Sequence, residues 1–540
     1  MSEFSHIIVD KIILFRFSCS LKANKQTFVL PRLFIPNNKY QPKDVKKFTR
    51  ACILDLRNTT KCIRLDYFKN LEKLTISKWN PRSYLHDPMK LTYLHHTGDK
   101  DGSVNLDKYK NLKYLNHTFI PEINTLINLQ SLTCSLEEKL QYALDFHLLS
   151  NLTKLSIKLN IWHDAVFQHV ILFEDSKFIE LHAKNIDFLK KQIEGNSLKH
   201  LDLHNTNDLS FSNLKSIQLV YFQNISNICI LNQDDSYRCL TLLKINMDDN
   251  VSMNFKSMIN LKDLDISHYK SSQNVDLSFL TSLEKLHFEH NTRNNINMIH
   301  LTKLTYLHFV NYVKSDHIIQ LPRNIICLFF HEHSKQDEIT VGNTWTYNML
   351  IQIHDIQNLK KLMVYNLSFE RNNLNSIKST SLTKLIIYKG SLCYSDHLTN
   401  LKHLVLTEID INGLSFRHLT SVKILTLKRC TNVIKKKLLE FHNLEDLRFD
   451  ATNCKLELGN ITRLTNLKLY VYNYSHDIEL EKLYKLKKLS VSNMDAFLKL
   501  CANKFPMSLK DIYIKINKKD VRDACKLFMK DINLHFVERK

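Results

Sequence analysis

The chain has 540 residues, 44% of them hydrophobic, with only 7 Gly and 8 Pro, which excludes a disordered or linker-rich protein. Its formal net charge of +21 points to one of two things: an acidic partner, such as nucleic acid or an anionic membrane surface, or a genome rich in Lys codons. The 12 Cys are scattered without a Cys-x-x-Cys pair, Asp10 and Lys11 interrupt any signal-like N-terminus, and no apolar run approaches the length of a span. These counts predict an intracellular, cytoplasmic monomer with buried free thiols in a reducing compartment and no membrane segment.

Residues 1–50 show no period. HIIVDKIILFRF is apolar enough for a buried strand or short helix, TFVLPRLFIP reads as extended around its two prolines, and PKDVKKFTRACILDL opens a helix at Pro42. From residue 51 to 516 one motif recurs, Leu-x-x-Leu-x-apolar. It opens weakly at Cys62, then regularly from Leu71 to Leu509 at steps of about 22 residues. In the middle it reads LKDLDISHY from Leu261, LEKLHFEHN from Leu283 and LTYLHFVNY from Leu304. Openings are also read at Leu152, Phe178, Leu198, Leu214 and Leu240, with long steps from Leu152 to Phe178 and from Leu214 to Leu240. The longest step, Ile325 to Leu359, is filled by HEHSKQDEITVGNTWTYNML, which reads as a degenerate repeat or an inserted loop. Asn precedes the opening residue repeatedly, as at Asn111, Asn128, Asn151, Asn260, Asn400 and Asn443. Beyond residue 516, Val521, Ala524, Cys525, Phe528 and Met529 follow helical spacing, which predicts a helix over Lys518 to Lys530.

The last two apolar positions of the motif are two residues apart, so in a strand they point to one face. Such a short strand buries that face only by stacking on copies of itself, with the rest of each repeat returning along the outer side. On these residues the chain resembles the leucine-rich repeat family, in its short classes of about 22 residues. The resemblance implies an α/β solenoid: a concave parallel sheet, with short helices or irregular segments on the convex side. It also implies an N-terminal cap at 1–50, the repeat array at 51–516 and a C-terminal cap helix at 517–540. Residues 1–50 also bear a resemblance to a degenerate F-box, the ligase-recruiting module that precedes such repeats in ubiquitin-ligase receptors, although its usual Leu-Pro-acidic opening is absent. The family places Asn or Cys at the ninth position of the repeat; here Asn291 and Cys430 match, while Trp79, Tyr269, Tyr312, Leu367, Thr452 and Tyr472 take that place in other repeats. The abundance of Lys, Asn and Ile resembles chains from AT-rich genomes, such as those of amoebae and the large DNA viruses that infect them.

No Gly-rich phosphate loop, His-Glu-x-x-His or Gly-x-Ser-x-Gly is present, so no enzyme, metal or cofactor is expected. The third, fifth and seventh residues of each repeat face away from the core and carry the binding chemistry. In the middle of the chain they include His182, His200, His204, His287, His308 and His331. His287 and His308 occupy one column in adjacent repeats and are expected to titrate together near the ordinary imidazole range. Toward the C-terminus the same columns become basic and aromatic: Tyr388, Lys428, Arg448, Lys468, Tyr470 and Lys488. The function this implies is protein recognition on a preformed face. The alternatives are a substrate receptor of a ubiquitin ligase and nucleic-acid binding through the basic C-terminal third.

Overall fold

The structure, a computed structural model, describes residues 32–34 and, from residue 52 to residue 538, the strands and the turns that lead into them. The remaining parts of the repeats, with residues 1–31, 35–51, 333–355 and 517–531, lie outside the described residues. The F-box reading, the insertion before Leu359 and the helix expected over Lys518 to Lys530 therefore fall outside them. The chain forms two compact units, Met1–Glu194 and Gly195–Lys540.

In the first unit the strands Arg32–Phe34, Ile53–Leu56, Lys73–Ile76, Tyr93–His96, Tyr114–His117, Ser131–Leu136, Lys154–Leu159 and Glu180–Lys184 pair in that order, all parallel. The proline-flanked stretch read as extended thus supplies a strand of the ladder. A small second sheet joins Leu144–Asp145, Gln168–Ile171 and Ile186–Phe188, and it accounts for part of the long step before Phe178. The second unit repeats the ladder from His200–His204 to Asn533–Glu538, the last strand pairing in parallel with Asp511–Ile516 beyond the point where the sequence motif stops.

Equivalent positions stack on one another. Leu264, Leu286, Leu307 and Leu328 are partners in successive strands, as are Ile266, Phe288, Phe309 and Phe330. Each of these is at most 3% exposed, so the first, fourth and sixth positions form the core. Each such side chain contributes about 1.5–3 kcal/mol by leaving water.

The outer turns follow a three-residue rhythm that precedes the strand motif. Leu277, Leu280 and Leu283 are all buried, and the Leu280 N–H donates to the Leu277 carbonyl at 3.0 Å as the Leu283 N–H does to the Leu280 carbonyl at 3.0 Å. Phe255, Met258 and Leu261 repeat the arrangement, and so do Met298, Leu301 and Leu304. At three residues per turn, side chains three apart eclipse, so one apolar row feeds the core. Among the described residues the outer segments include short 3₁₀ turns such as Leu65–Tyr67 and Leu480–Lys482, and Leu438, Phe497 and Leu500 are helical. No helix there is long and apolar enough to cross a membrane.

This rhythm corrects two openings. Leu214 lies in the 3₁₀ turn Leu214–Ser216, and the true opening is Ile217, which places Val220 and Phe222 in the core. Cys62 falls before the turn Leu65–Tyr67, where Leu65, Phe68 and Leu71 continue the three-residue row, and the earlier strand is Ile53–Leu56.

Where Asn precedes an opening, it has a structural role. Its side-chain amide donates to a backbone carbonyl in the preceding repeat: Asn111 to Met89 (3.0 Å), Asn128 to Lys110 (2.9 Å), Asn151 to Ile127 (2.9 Å), Asn260 to Arg238 (2.7 Å), Asn400 to Thr380 (2.8 Å) and Asn443 to Thr420 (2.7 Å). In every case the acceptor lies two residues before the preceding opening, so the bond ties turn to turn. Threonines at the second position add a parallel row, for example Thr241 to the Gln218 carbonyl at 3.1 Å and Thr465 to the Glu445 carbonyl at 3.1 Å.

Several strands take a left-handed residue at the eighth position. Among the described residues, the five non-glycine residues with positive φ, Asn185, Asn205, Lys389, Glu408 and Arg429, all occupy it. Asn accepts this backbone region, whereas Lys, Glu and Arg strain against their own Cβ. In three consecutive repeats the strained residues pair, with Glu408 3.6 Å from Lys389 and 3.1 Å from Arg429. Lys389→Asn relieves the strain (φ 52°) and loses only an exposed ion pair. We expect it to raise stability by about 0.5–1 kcal/mol in urea unfolding; an unchanged or lower midpoint would count against strain at this position.

Candidate functional site

The alternation of the strands decides what the ladder presents. With the fourth and sixth positions buried, the third, fifth and seventh form an open face. All nine sequence-selected residues lie on it. His182 is half-buried in the first unit, opposite Ser156. In the second unit His287 and His308 are partners, their rings stacked at 4.2 Å. Asp265 Oδ1 lies 3.1 Å from His287 Nδ1 and Glu289 Oε1 lies 3.8 Å from its Nε2. The shared titration expected for the pair is overturned for His308: burial, then repulsion from His287 and His331, pushes it down to about 4. Among the described residues no group of three or more His, Cys, Asp or Glu side chains converges to hold a metal ion.

Tyr388 stacks on Tyr365 at 4.0 Å with planes 4° apart, and His331 covers the other side of Tyr365 at 4.4 Å. Burial, and the hydrogen bond to Tyr388, push the Tyr365 hydroxyl up to about 12. Lys428 is exposed and faces Asp450 across the ladder, while Arg448 pairs with Asp446 at 3.3 Å and lies beside Lys468. Tyr470 sits under Lys515, whose Nζ is 5.7 Å from the ring centre, and Lys488 is exposed opposite Asp511.

Between the histidines and the basic residues lies a feature that sequence reasoning passed over. The fifth positions of successive strands after His308 are Phe329, Met363, Ile386 and Val405, an unbroken apolar column on a face that elsewhere alternates with polar groups. Phe329, Met363 and Val405 are half-buried and Ile386 is 9% exposed, with nothing in the chain's own core for them to enter. Tyr306 packs against Phe329 at 5.1 Å from one side and Lys361 Nζ lies 4.5 Å from the Phe329 ring centre, while Tyr365 and Tyr388 border the other side. The signal was present in the sequence, but in a repeat built of Leu and Ile an apolar residue at the fifth position reads as one more core residue until the register is known.

A second missed feature is inside. His96 and His117 occupy the sixth, core position of adjacent repeats, 1% and 2% exposed, with His96 Nδ1 3.0 Å from His117 Nε2. Burial, with His95 nearby, lowers the pKa of His96. A groove of about 540 Å³ lies on the turn edge, lined by Glu284, Thr302, Lys303, Thr305, Asn324, Ile326, Asn358 and Lys360. Its walls include the Asn and Thr that brace successive turns, such as Asn324 and Thr305.

No family model matches the sequence, and no curated protein is significantly similar to it. Solved structures similar to the chain include a circular leucine-rich repeat protein, CroV588, at 16% identity over 91% of this chain and 73% of that one, with a TM-score of 0.48. They also include an internalin of Listeria monocytogenes, at 18% identity over 68% and 88% with a TM-score of 0.32. A leucine-rich repeat protein of Leptospira interrogans matches at 17% identity over 93% and 100%, with a TM-score of 0.30. The recurring motif, its in-register parallel ladder and the buried Leu-x-x-Leu-x-apolar core give this chain the leucine-rich repeat solenoid fold.

Proposed function

We propose that the protein is a non-enzymatic, intracellular scaffold that acts as a monomer and recognises a protein partner on the open face of the ladder in its second unit. The observation that carries this reading is the column Phe329, Met363, Ile386 and Val405, bordered by Tyr306, Tyr365 and Tyr388. An apolar centre ringed by aromatic side chains has the composition of an interface hot spot. Because strands hold these side chains in place, little ordering entropy is lost on binding. The intracellular assignment is supported, among the described residues, by the free thiols of Cys134, Cys239 and Cys327, of which Cys239 is exposed rather than buried.

The test is capture from lysate by the immobilised full chain and by its Met363→Asp variant. A charge placed at the centre of the column is expected to weaken capture by about 2 kcal/mol or more, roughly thirtyfold. Equal capture by both chains would place the partner elsewhere.

A further inference from the structure

The apolar column does not stand alone on its face. In register, the fifth position passes from Val405 to Thr426, then to Arg448 and Lys468, with Lys428 beside Thr426 at the seventh position. Arg448 has a carboxylate partner in Asp446. Among the described residues no carboxylate lies within ion-pair distance of Lys428 or Lys468. Adjacent strands are about 4.8 Å apart, so the apolar column extends over about 14 Å and the cations follow it from about 5 Å beyond, at Lys428, to about 14 Å beyond, at Lys468. Resting on the reading given above, we infer that the partner offers an extended segment with apolar side chains followed by carboxylates. It crosses the strands so that the apolar part covers Phe329 to Val405 and the acidic part meets Lys428, Arg448 and Lys468.

The spacing sets the motif. An extended chain advances about 3.3 Å per residue, so the apolar part takes about four or five residues, and the carboxylates follow about two to four residues later. Charge complementarity favours an acidic segment, because cations without partners on one face attract it and repel a basic one. A polynucleotide fits the same face less well. Base stacking requires free ring faces, and Tyr365 is closed between Tyr388 at 4.0 Å and His331 at 4.4 Å.

The probe is a displayed library of random peptides of about 16 residues, panned on the full chain; the peptides recovered are then titrated against three variants. Expected are peptides in which Leu, Ile, Phe or Val precede Asp and Glu at this spacing. Their binding should weaken about tenfold or more in the double variant Lys428→Glu and Lys468→Glu, be lost in Met363→Asp, and stay unchanged in Lys482→Glu on the turn side. Selected peptides without acidic residues, or insensitive to the double variant yet lost in Met363→Asp, would overturn the acidic partner and leave the protein-binding reading standing. Recovery of no peptide, or of peptides indifferent to Met363→Asp, would overturn both. Tight, salt-sensitive binding of single-stranded DNA lost in the double variant would overturn the inference in favour of a polyanion.

Discussion

Leu286→Ala is expected to destabilise the protein by about 2–5 kcal/mol in urea unfolding. Leu286 is 0% exposed and lies between Leu264 and Leu307, which are also 0% exposed, in a ladder whose strands are locked in register by backbone hydrogen bonds. The site cannot collapse around the lost methyl groups without breaking that register. The loss should also be local in its onset. Each strand here contacts its neighbours in the ladder, so hydrogen exchange should accelerate first in Asp263–Tyr269 and Tyr306–Asn311, on either side of Lys285–His290. Uniform acceleration throughout the second unit would show that it unfolds as a single cooperative block instead.

Acid is expected to weaken the fold through its neutral, buried histidines. His308 is pushed down to about 4 and His96 is lowered, each first by burial, against an ordinary value of 6.5. Above the ordinary value both are neutral whether folded or unfolded and contribute no pH dependence. As the pH falls below it, the unfolded chain binds protons that the folded chain refuses, so stability declines; for His308 the decline levels off below about 4. Asp265 and Glu289 oppose the shift of His308 but do not reverse it. His308→Gln removes the titrating group, so its unfolding free energy should gain on the wild type steadily as the pH falls from 6.5 to about 4. Parallel curves would refute the assignment. At the interior pair, His117→Leu removes the partner 3.0 Å from His96 Nδ1 and should cost about 1–3 kcal/mol. The double variant His96→Leu and His117→Leu, which replaces both polar groups by apolar ones of similar size, should recover most of that loss and flatten the acid response.

Most of the fold was legible because a solenoid writes its period into its sequence. The strand motif at Leu261, Leu283 and Leu304 requires only that two side chains two apart share a face, which is a property of the extended backbone. Where the reading slipped, the cause was the three-residue row of the outer turns. Leu214-x-x-Ile217-x-Leu219 satisfies the motif as well as Ile217-x-x-Val220-x-Phe222 does. Only pairing with the neighbouring strands, which sets Leu219 opposite His200 and Leu242, turns Leu219 outward and Phe222 inward.

The candidate site divides in the same way. Sequence alone determined which columns of side chains leave the core, and so placed His287, His308, Lys428 and Lys468 on the open face, because the alternation is a local consequence of strand geometry. Tertiary structure alone decided what those columns do side by side. It stacked Tyr365 on Tyr388, set Asp265 and Glu289 around His287, buried His96 against His117 and aligned Phe329, Met363, Ile386 and Val405 into one apolar surface. Apart from Glu289, which shares a strand with His287, these partners are 19 to 34 positions apart in the chain, and what brings them within about 4.8 Å spacing is the pairing of each strand with the next, a long-range choice that no local propensity encodes.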